Sequence, residues 1–214
     1  MEIAIPLYDR FTALDAIGPY QVLSMLPGAT VRFLAAEPGP VRTDNGMLTV
    51  VAEGRYEDLR APEVLVVPGG PGTRAMLSDE RLLDWIRSAH EGSRYTASVC
   101  TGSLLLAAAG LLEGVDATTH WLSREELAEL GARPVPERVV ERGRLITAAG
   151  VSAGIDMGLR LAELVAGTRA AQAVQLVIEY DPEPPFDAGS PEKAPTEVVD
   201  LVRGRGRPKP APAA

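Results

Sequence analysis

Val64-Leu-Val-Val67 is an unbroken apolar run, closed at once by Pro68-Gly-Gly-Pro-Gly72. A strand that is apolar at every position has no face to offer water. It belongs inside a parallel sheet covered by helices on both sides. The surrounding chain agrees. Residues 3–7 read as a first strand, residues 13–26 as a helix stopped by Pro27-Gly28, and residues 30–36 as a second strand. Asp44-Asn45-Gly46, between Val41 and residues 48–51, marks a hairpin. Residues 80–90 form an amphipathic helix. Residues 95–99 are strand-like, and residues 104–110 read as a buried helix. Strands alternating with helices predict an α/β fold, with a mostly parallel sheet sandwiched by helices.

Further along, residues 117–121 read as a short strand or its exit loop. Ser123-Arg-Glu-Glu126 has the form of a capping box opening a helix to Leu130. Residues 139–142 and 145–148 flank a turn at Arg142-Gly143. Two helices follow, over about 155–167 and 169–179. From Tyr180 the chain is rich in Pro and Gly. The organisation expected is one α/β domain over 1–185, a Pro-rich extension over 186–202, and a basic, disordered tail over 203–214.

The chain of 214 residues has one cysteine, two histidines and a net charge of -8. One thiol leaves no intramolecular disulfide, which suits a reducing cytoplasm. Residues 2–7 follow the initiator directly, without the basic run and long apolar core of a signal peptide, and no membrane span is expected. The acidic balance disfavours general nucleic-acid binding. Arg203, Arg205, Arg207 and Lys209 concentrate positive charge in the tail. Arg and Pro there have the form of a minor-groove hook, but composition favours a solvated tail. Two histidines and one cysteine are too few for an ordinary structural zinc site.

Cys100 stands where the strand of residues 95–99 turns abruptly into a helix. A lone cysteine is either a small buried hydrophobe or a reactive group. The strand–turn–helix setting is that of a nucleophile elbow, which holds the side chain out at the carboxyl edge of a sheet. It also aims the thiol at the positive end of a helix, which favours thiolate. Three loops are expected to meet there, where open α/β sheets bind ligands. One carries Asp15, an acid in an apolar stretch. It reads either as a helix-terminal acid or as a carboxyl group held against the thiol, its pKa raised to shuttle a proton. The second is Gly69-Gly-Pro-Gly72. Pro71 has no N–H, so Gly70 is the better donor into an oxyanion-type site. The third is the elbow itself, where the amide and hydroxyl of Thr101 are donors, or Thr101 is a helix N-cap. His120 has two readings: an activating partner for Cys100, or a structural hydrogen-bonding residue beside Trp121.

Taken together, Pro68-Gly-Gly, Ser98-Val-Cys100-Thr-Gly, Ala117-Thr-Thr-His-Trp121 and Ala149-Gly-Val-Ser-Ala-Gly-Ile-Asp156 resemble the ThiJ/PfpI superfamily over residues 1–185. The resemblance implies a flavodoxin-like, class I glutamine-amidotransferase-like fold with a cysteine nucleophile elbow, and a homodimer. Protease-like and glyoxalase-like relatives usually carry glutamate on the first helix, and many carry histidine after the cysteine. Asp15 and Thr101 stand at those places here, which resembles the isonitrile hydratase group. That likeness implies a cofactor-free lyase acting on a small isonitrile, with Cys100 as nucleophile, Asp15 as acid–base, a thioimidate intermediate and a formamide product. Thr101 and Gly70 would orient bound groups. Two alternatives stand beside it: a glyoxalase/deglycase-like or protease-like enzyme, and a ligand-sensing, redox-sensing or chaperone-like binding protein. Some segments are shared with the sensor domains of AraC-type regulators, whose DNA-binding region finds no counterpart in residues 186–214.

Overall fold

A computed structural model describes residues 1–206. Its strands are β1 (Glu2–Pro6), β2 (Thr30–Ala35), β3 (Gly39–Arg42), β4 (Thr49–Ala52), β5 (Gly54–Arg55), β6 (Val64–Val67), β7 (Tyr95–Val99), β8 (Asp116–Ala117), β9 (Arg133–Pro134), β10 (Val139–Arg142) and β11 (Leu145–Ala148). Its helices are α1 (Ala13–Leu23), α2 (Thr73–Met76), α3 (Glu80–Gly92), α4 (Gly102–Ala108), α5 (Arg124–Glu129), α6 (Ala153–Ala166), α7 (Thr168–Val177) and α8 (Thr196–Gly206). The contacts divide the chain into two units, Met1–Tyr180 and Asp181–Ala214.

In the first unit seven strands form one sheet in the order β10-β11-β7-β6-β1-β2-β5. Every pairing is parallel except β10 with β11, so the expected mostly parallel sheet is present. All four residues of β6 are buried, as a central strand with helices on both faces requires. β3 and β4 pair as the separate antiparallel hairpin that Asn45-Gly46 predicted.

Strand alternation assigns the two helical layers. A Cβ on Gly154 of α6 would sit 3.1 Å from the Val99 side chain and 3.2 Å from Pro19 of α1. Val99 therefore points to the layer of α1 and α6. Thr96 points the other way and meets His90 of α3 at 2.9 Å, so α3 lies on the opposite face. His90 is therefore half-buried against the sheet, not a free surface group as its place at a helix end suggests.

The connection from β1 runs to β2 on one side, and that from β6 runs to β7 on the other. The order in which strands are added to the sheet reverses between the adjacent parallel strands β1 and β6, which opens a crevice at their carboxyl ends. α4 is seated over this edge so tightly that a Cβ on Gly102 would overlap the Val67 carbonyl. Both sides of that contact are backbone and cannot rotate away. Gly102→Ala is expected to cost on the order of 2 kcal/mol or more, read as a lowered midpoint in thermal or urea unfolding.

Two expectations need correction. Ser123 does precede α5, but its hydroxyl makes no cap; it faces Arg74 Nη2 at 3.4 Å instead. The reason is the preceding turn at Trp121–Ser123, which carries Ser123 into φ -114°, ψ 14° and away from the α5 amides. In the second unit, α8 runs through Arg203 and to Gly206, so helix crosses the boundary where disorder was expected to begin. Thr196 opens that helix and Glu197 lies in its first turn, a start signal overshadowed by the prolines around it. Arg207 and Lys209 lie outside the described residues. Among the described residues no helix is long and apolar enough to cross a membrane.

Candidate active site

The three loops expected to converge do so, because they leave the adjacent strands β1, β6 and β7 at one sheet edge. The Thr12 amide donates to the Gly69 carbonyl at 2.8 Å, and the Gly70 amide donates to Thr101 Oγ1 at 2.8 Å. A backbone bond thus ties the first loop to the second, and a side-chain hydroxyl ties the second to the elbow.

Cys100 has φ +55°, a left-handed conformation rare outside glycine. Such strain is held by its surroundings. The Cys100 amide is shared between the carbonyls of Ala148 and Ala149, at 3.1 and 3.0 Å. Its carbonyl accepts from Ser103 Oγ at 3.2 Å and from Thr119 Oγ1 at 3.0 Å. With its main chain clamped at both ends, the residue presents its sulfur to the amides of Thr101 and Val151, both of which donate to it. The elbow is therefore present as the strand–helix junction implied.

Two opposing influences act on the thiol. Burial pushes Cys100 up to about 12, with the neighbouring Asp15 carboxylate adding to the rise. The two amides pull the other way and lose.

Asp15 sits in the first turn of α1 and is fully buried. Its Oδ2 accepts the Gly69 amide at 3.0 Å, while Oδ1 has no hydrogen-bond partner among the described residues. Burial raises its pKa to about 7, and Asp44 pushes the same way; the Gly69 amide and the Cys100 thiol oppose the rise. Asp44 reaches this point because Thr12 Oγ1 donates to Asp44 Oδ2 at 2.9 Å, docking the tip of the β3–β4 hairpin on the start of α1. Asp15 and Cys100 act on each other, so a thiol pushed up by burial faces a carboxyl raised to about 7.

Gly70 and Thr101 lie beside this pair, but their expected donors are already engaged. The Gly70 amide is given to Thr101 Oγ1, and the Thr101 hydroxyl contacts Thr73 Oγ1 at 2.9 Å. What Thr101 turns toward the sulfur is its backbone N–H. His120 is placed near the elbow by packing: a Cβ on Gly150 would lie 2.8 Å from its ring. Its Nδ1 accepts the Leu122 amide at 3.3 Å, and its ring stacks on Trp121. Burial, with Arg74 nearby, lowers its pKa and keeps it neutral. The imidazole thus caps a turn, and among the described residues no hydrogen bond is recorded between it and the thiol. The sequence reading passed over the Val151 amide, whose aim depends on φ +36° at Val151, and over Tyr8, Thr73 and Asp44. Asp44 and Val151 lie in segments quoted above for other reasons, a hairpin turn and the 149–156 segment, while no motif marks Tyr8 or Thr73. Among the described residues no group of three or more His, Cys, Asp or Glu is arranged to hold a metal.

Comparison with known proteins places this geometry. The DJ-1/PfpI family model matches residues 1–164, well over half of the chain. The chain belongs to the DJ-1/PfpI family. An isonitrile hydratase of Pseudomonas putida is 46% identical over 208 residues, covering 97% of this chain and 91% of that one. A ThiJ/PfpI family protein from Pseudomonas syringae superposes with a TM-score of 0.90 at 40% identity, over 95% of this chain and 86% of that one. Drosophila melanogaster DJ-1beta shares the fold at a TM-score of 0.77 and 22% identity, over 85% of this chain and 98% of that one.

Proposed function

We propose that this chain is an isonitrile hydratase, a lyase that adds water to an isonitrile and releases an N-substituted formamide. The observation that carries the reading is the buried Asp15–Cys100 pair, on a chain 46% identical to the Pseudomonas putida isonitrile hydratase over nearly its whole length. That whole-chain likeness favours it over the glyoxalase-like, protease-like and sensor readings. Homodimeric assembly and a cytoplasmic location belong to the same proposal, carried by family resemblance.

The chemistry follows from the protonation states. The terminal carbon of an isonitrile accepts both a nucleophile and a proton. Ionised Asp15 takes the thiol proton as the sulfur attacks that carbon, then passes the proton to the same carbon, giving R–N=CH–S–Cys100. The Thr101 and Val151 amides stabilise negative charge on the sulfur during this transfer. Water adds to the thioimidate carbon with Asp15 as general base. The resulting R–NH–CH(OH)–S–Cys100 collapses to R–NH–CHO, and the proton returns to the sulfur. Every atom is accounted for by the isonitrile and one water, so the cycle as written calls on no cofactor.

The competent enzyme holds one proton on the Asp15–Cys100 pair. The pair loses its first proton near pH 7 and its second near 12. The value of kcat/KM is therefore expected to rise through about pH 7 to a plateau, read as initial rates of formamide release between pH 5 and 9. The function itself is tested by incubating the protein with a simple alkyl isonitrile and following the formamide by mass spectrometry. No formamide above a protein-free control would end the reading.

A further inference from the structure

Behind the sulfur lies a buried run of hydroxyls for which the chemistry above has no use. Tyr8, just past β1, Thr73 at the start of α2 and Thr101 at the elbow are all buried. Tyr8 Oη donates to the Pro68 carbonyl at 2.7 Å and lies 3.0 Å from Thr73 Oγ1. Thr73 Oγ1 lies 2.9 Å from Thr101 Oγ1, which accepts the Gly70 amide at 2.8 Å.

Each hydroxyl has a single proton, and a carbonyl can only accept. Tyr8 therefore commits its proton to Pro68. Thr73 must then donate to Tyr8, and Thr101 to Thr73. The direction is set from one end to the other: Gly70 N–H to Thr101, Thr101 to Thr73, Thr73 to Tyr8, Tyr8 to the Pro68 carbonyl. The competing acceptor for Thr101, the Gly70 carbonyl, is more distant at 3.2 Å. Burial holds Tyr8 protonated well beyond the ordinary phenol range, so its end of the chain does not reverse with pH.

This run ties down the residue that follows the strained Cys100. A residue at φ +55° relaxes unless its neighbours hold it, and relaxation would swing the Thr101 amide off the sulfur. We propose that Tyr8 and Thr73 are positioning residues for Cys100: their hydroxyls fix Thr101, and so the amide it donates to the sulfur. The inference rests on the hydratase reading only for its turnover readout, because the reactivity of the thiol is measurable without any isonitrile.

Tyr8→Phe and Thr73→Val each remove one link with little change in volume, and Thr73→Ser keeps the hydroxyl. On each variant two rates are measured: alkylation of Cys100 by iodoacetamide at pH 8, and formamide release from a simple alkyl isonitrile. Losing one well-aimed donor to a sulfur anion is worth about tenfold. Tyr8→Phe and Thr73→Val are expected to slow both rates by about that factor with KM unchanged, and Thr73→Ser to match the wild type. Unchanged alkylation in the first two overturns the proposal. So does equal slowing in Thr73→Ser and Thr73→Val, which would mean disturbed packing and no specific role for the hydroxyl. If alkylation slows as expected but the wild type makes no formamide, the positioning role stands and the hydratase reading falls. Thermal melting checks each fold. Should Tyr8→Phe fail to fold, the Thr73 pair decides alone.

Discussion

Cys100→Ala is expected to bring formamide production down to the rate seen without protein. The sulfur is the only thiol in the chain, so no second nucleophile can take over the covalent step. The substitution tests chemistry with little confusion from folding. Alanine keeps the Cβ that the elbow accommodates at φ +55°, and the clamps on the main chain come from Ala148, Ala149, Ser103 and Thr119, none of which touches the sulfur through those bonds. Far-UV circular dichroism should therefore match the wild type. Mass spectrometry of the wild type stopped during turnover of a slow isonitrile should find the added mass on Cys100. An alanine variant that still makes formamide at the wild-type rate would remove the thioimidate from the scheme.

Asp15→Asn has the second largest expected effect, and its two consequences point in opposite directions. Turnover should fall by roughly 10²–10⁴, the usual scale for a lost acid–base. An amide can still accept from Gly69 N–H but can neither take the thiol proton nor return it to carbon. Stability should move the other way at alkaline pH. A carboxyl whose folded pKa is raised from 3.8 to about 7 binds its proton more tightly in the native state. Its stabilising contribution is complete at low pH and is lost as pH rises through that interval. Asparagine carries no such charge, so the variant should melt higher than the wild type at pH 8, by a margin on the order of 4 kcal/mol at most. It should show no gain at pH 4. Paired melts at the two pH values, beside turnover, check both halves. An Asp15→Asn enzyme that turns over normally would take Asp15 out of the chemistry. One that is destabilised at pH 8 would mean that the carboxylate is better solvated than its burial indicates.

The large elements were open to sequence reasoning because each depends on short-range pattern. Four apolar residues closed by Pro-Gly-Gly left β6 no place but the middle of a parallel sheet. Asn45-Gly46 specified a hairpin through its turn geometry, and β7 is the stretch from Tyr95 to Val99 that the pattern marked. The capping box at Ser123 failed because a cap depends on the exact dihedral of one residue, which a preceding turn can reset. The α8 helix was passed over because proline-rich surroundings dominate any windowed reading of residues 181–206.

At the site the division is different. The sequence by itself determined which groups were available for chemistry: a single thiol at a strand–helix junction, an acid in an apolar stretch, and glycines able to let three loops approach. It therefore singled out Cys100 and Asp15 as the candidates for a reacting pair if the loops met. Only the tertiary structure decided their protonation. Burial is a property of everything packed around a group, and here it raises both the thiol and the carboxyl, against the amides of Thr101, Val151 and Gly69 that favour their charged forms. Only the tertiary structure decided the donors as well. Whether an N–H or a hydroxyl is free for a substrate depends on partners distant in the chain. Thr73 claims the Thr101 hydroxyl, Thr101 claims the Gly70 amide, and Leu122 occupies His120 Nδ1. Those partners are set by distances in space, which residue order along the chain does not contain.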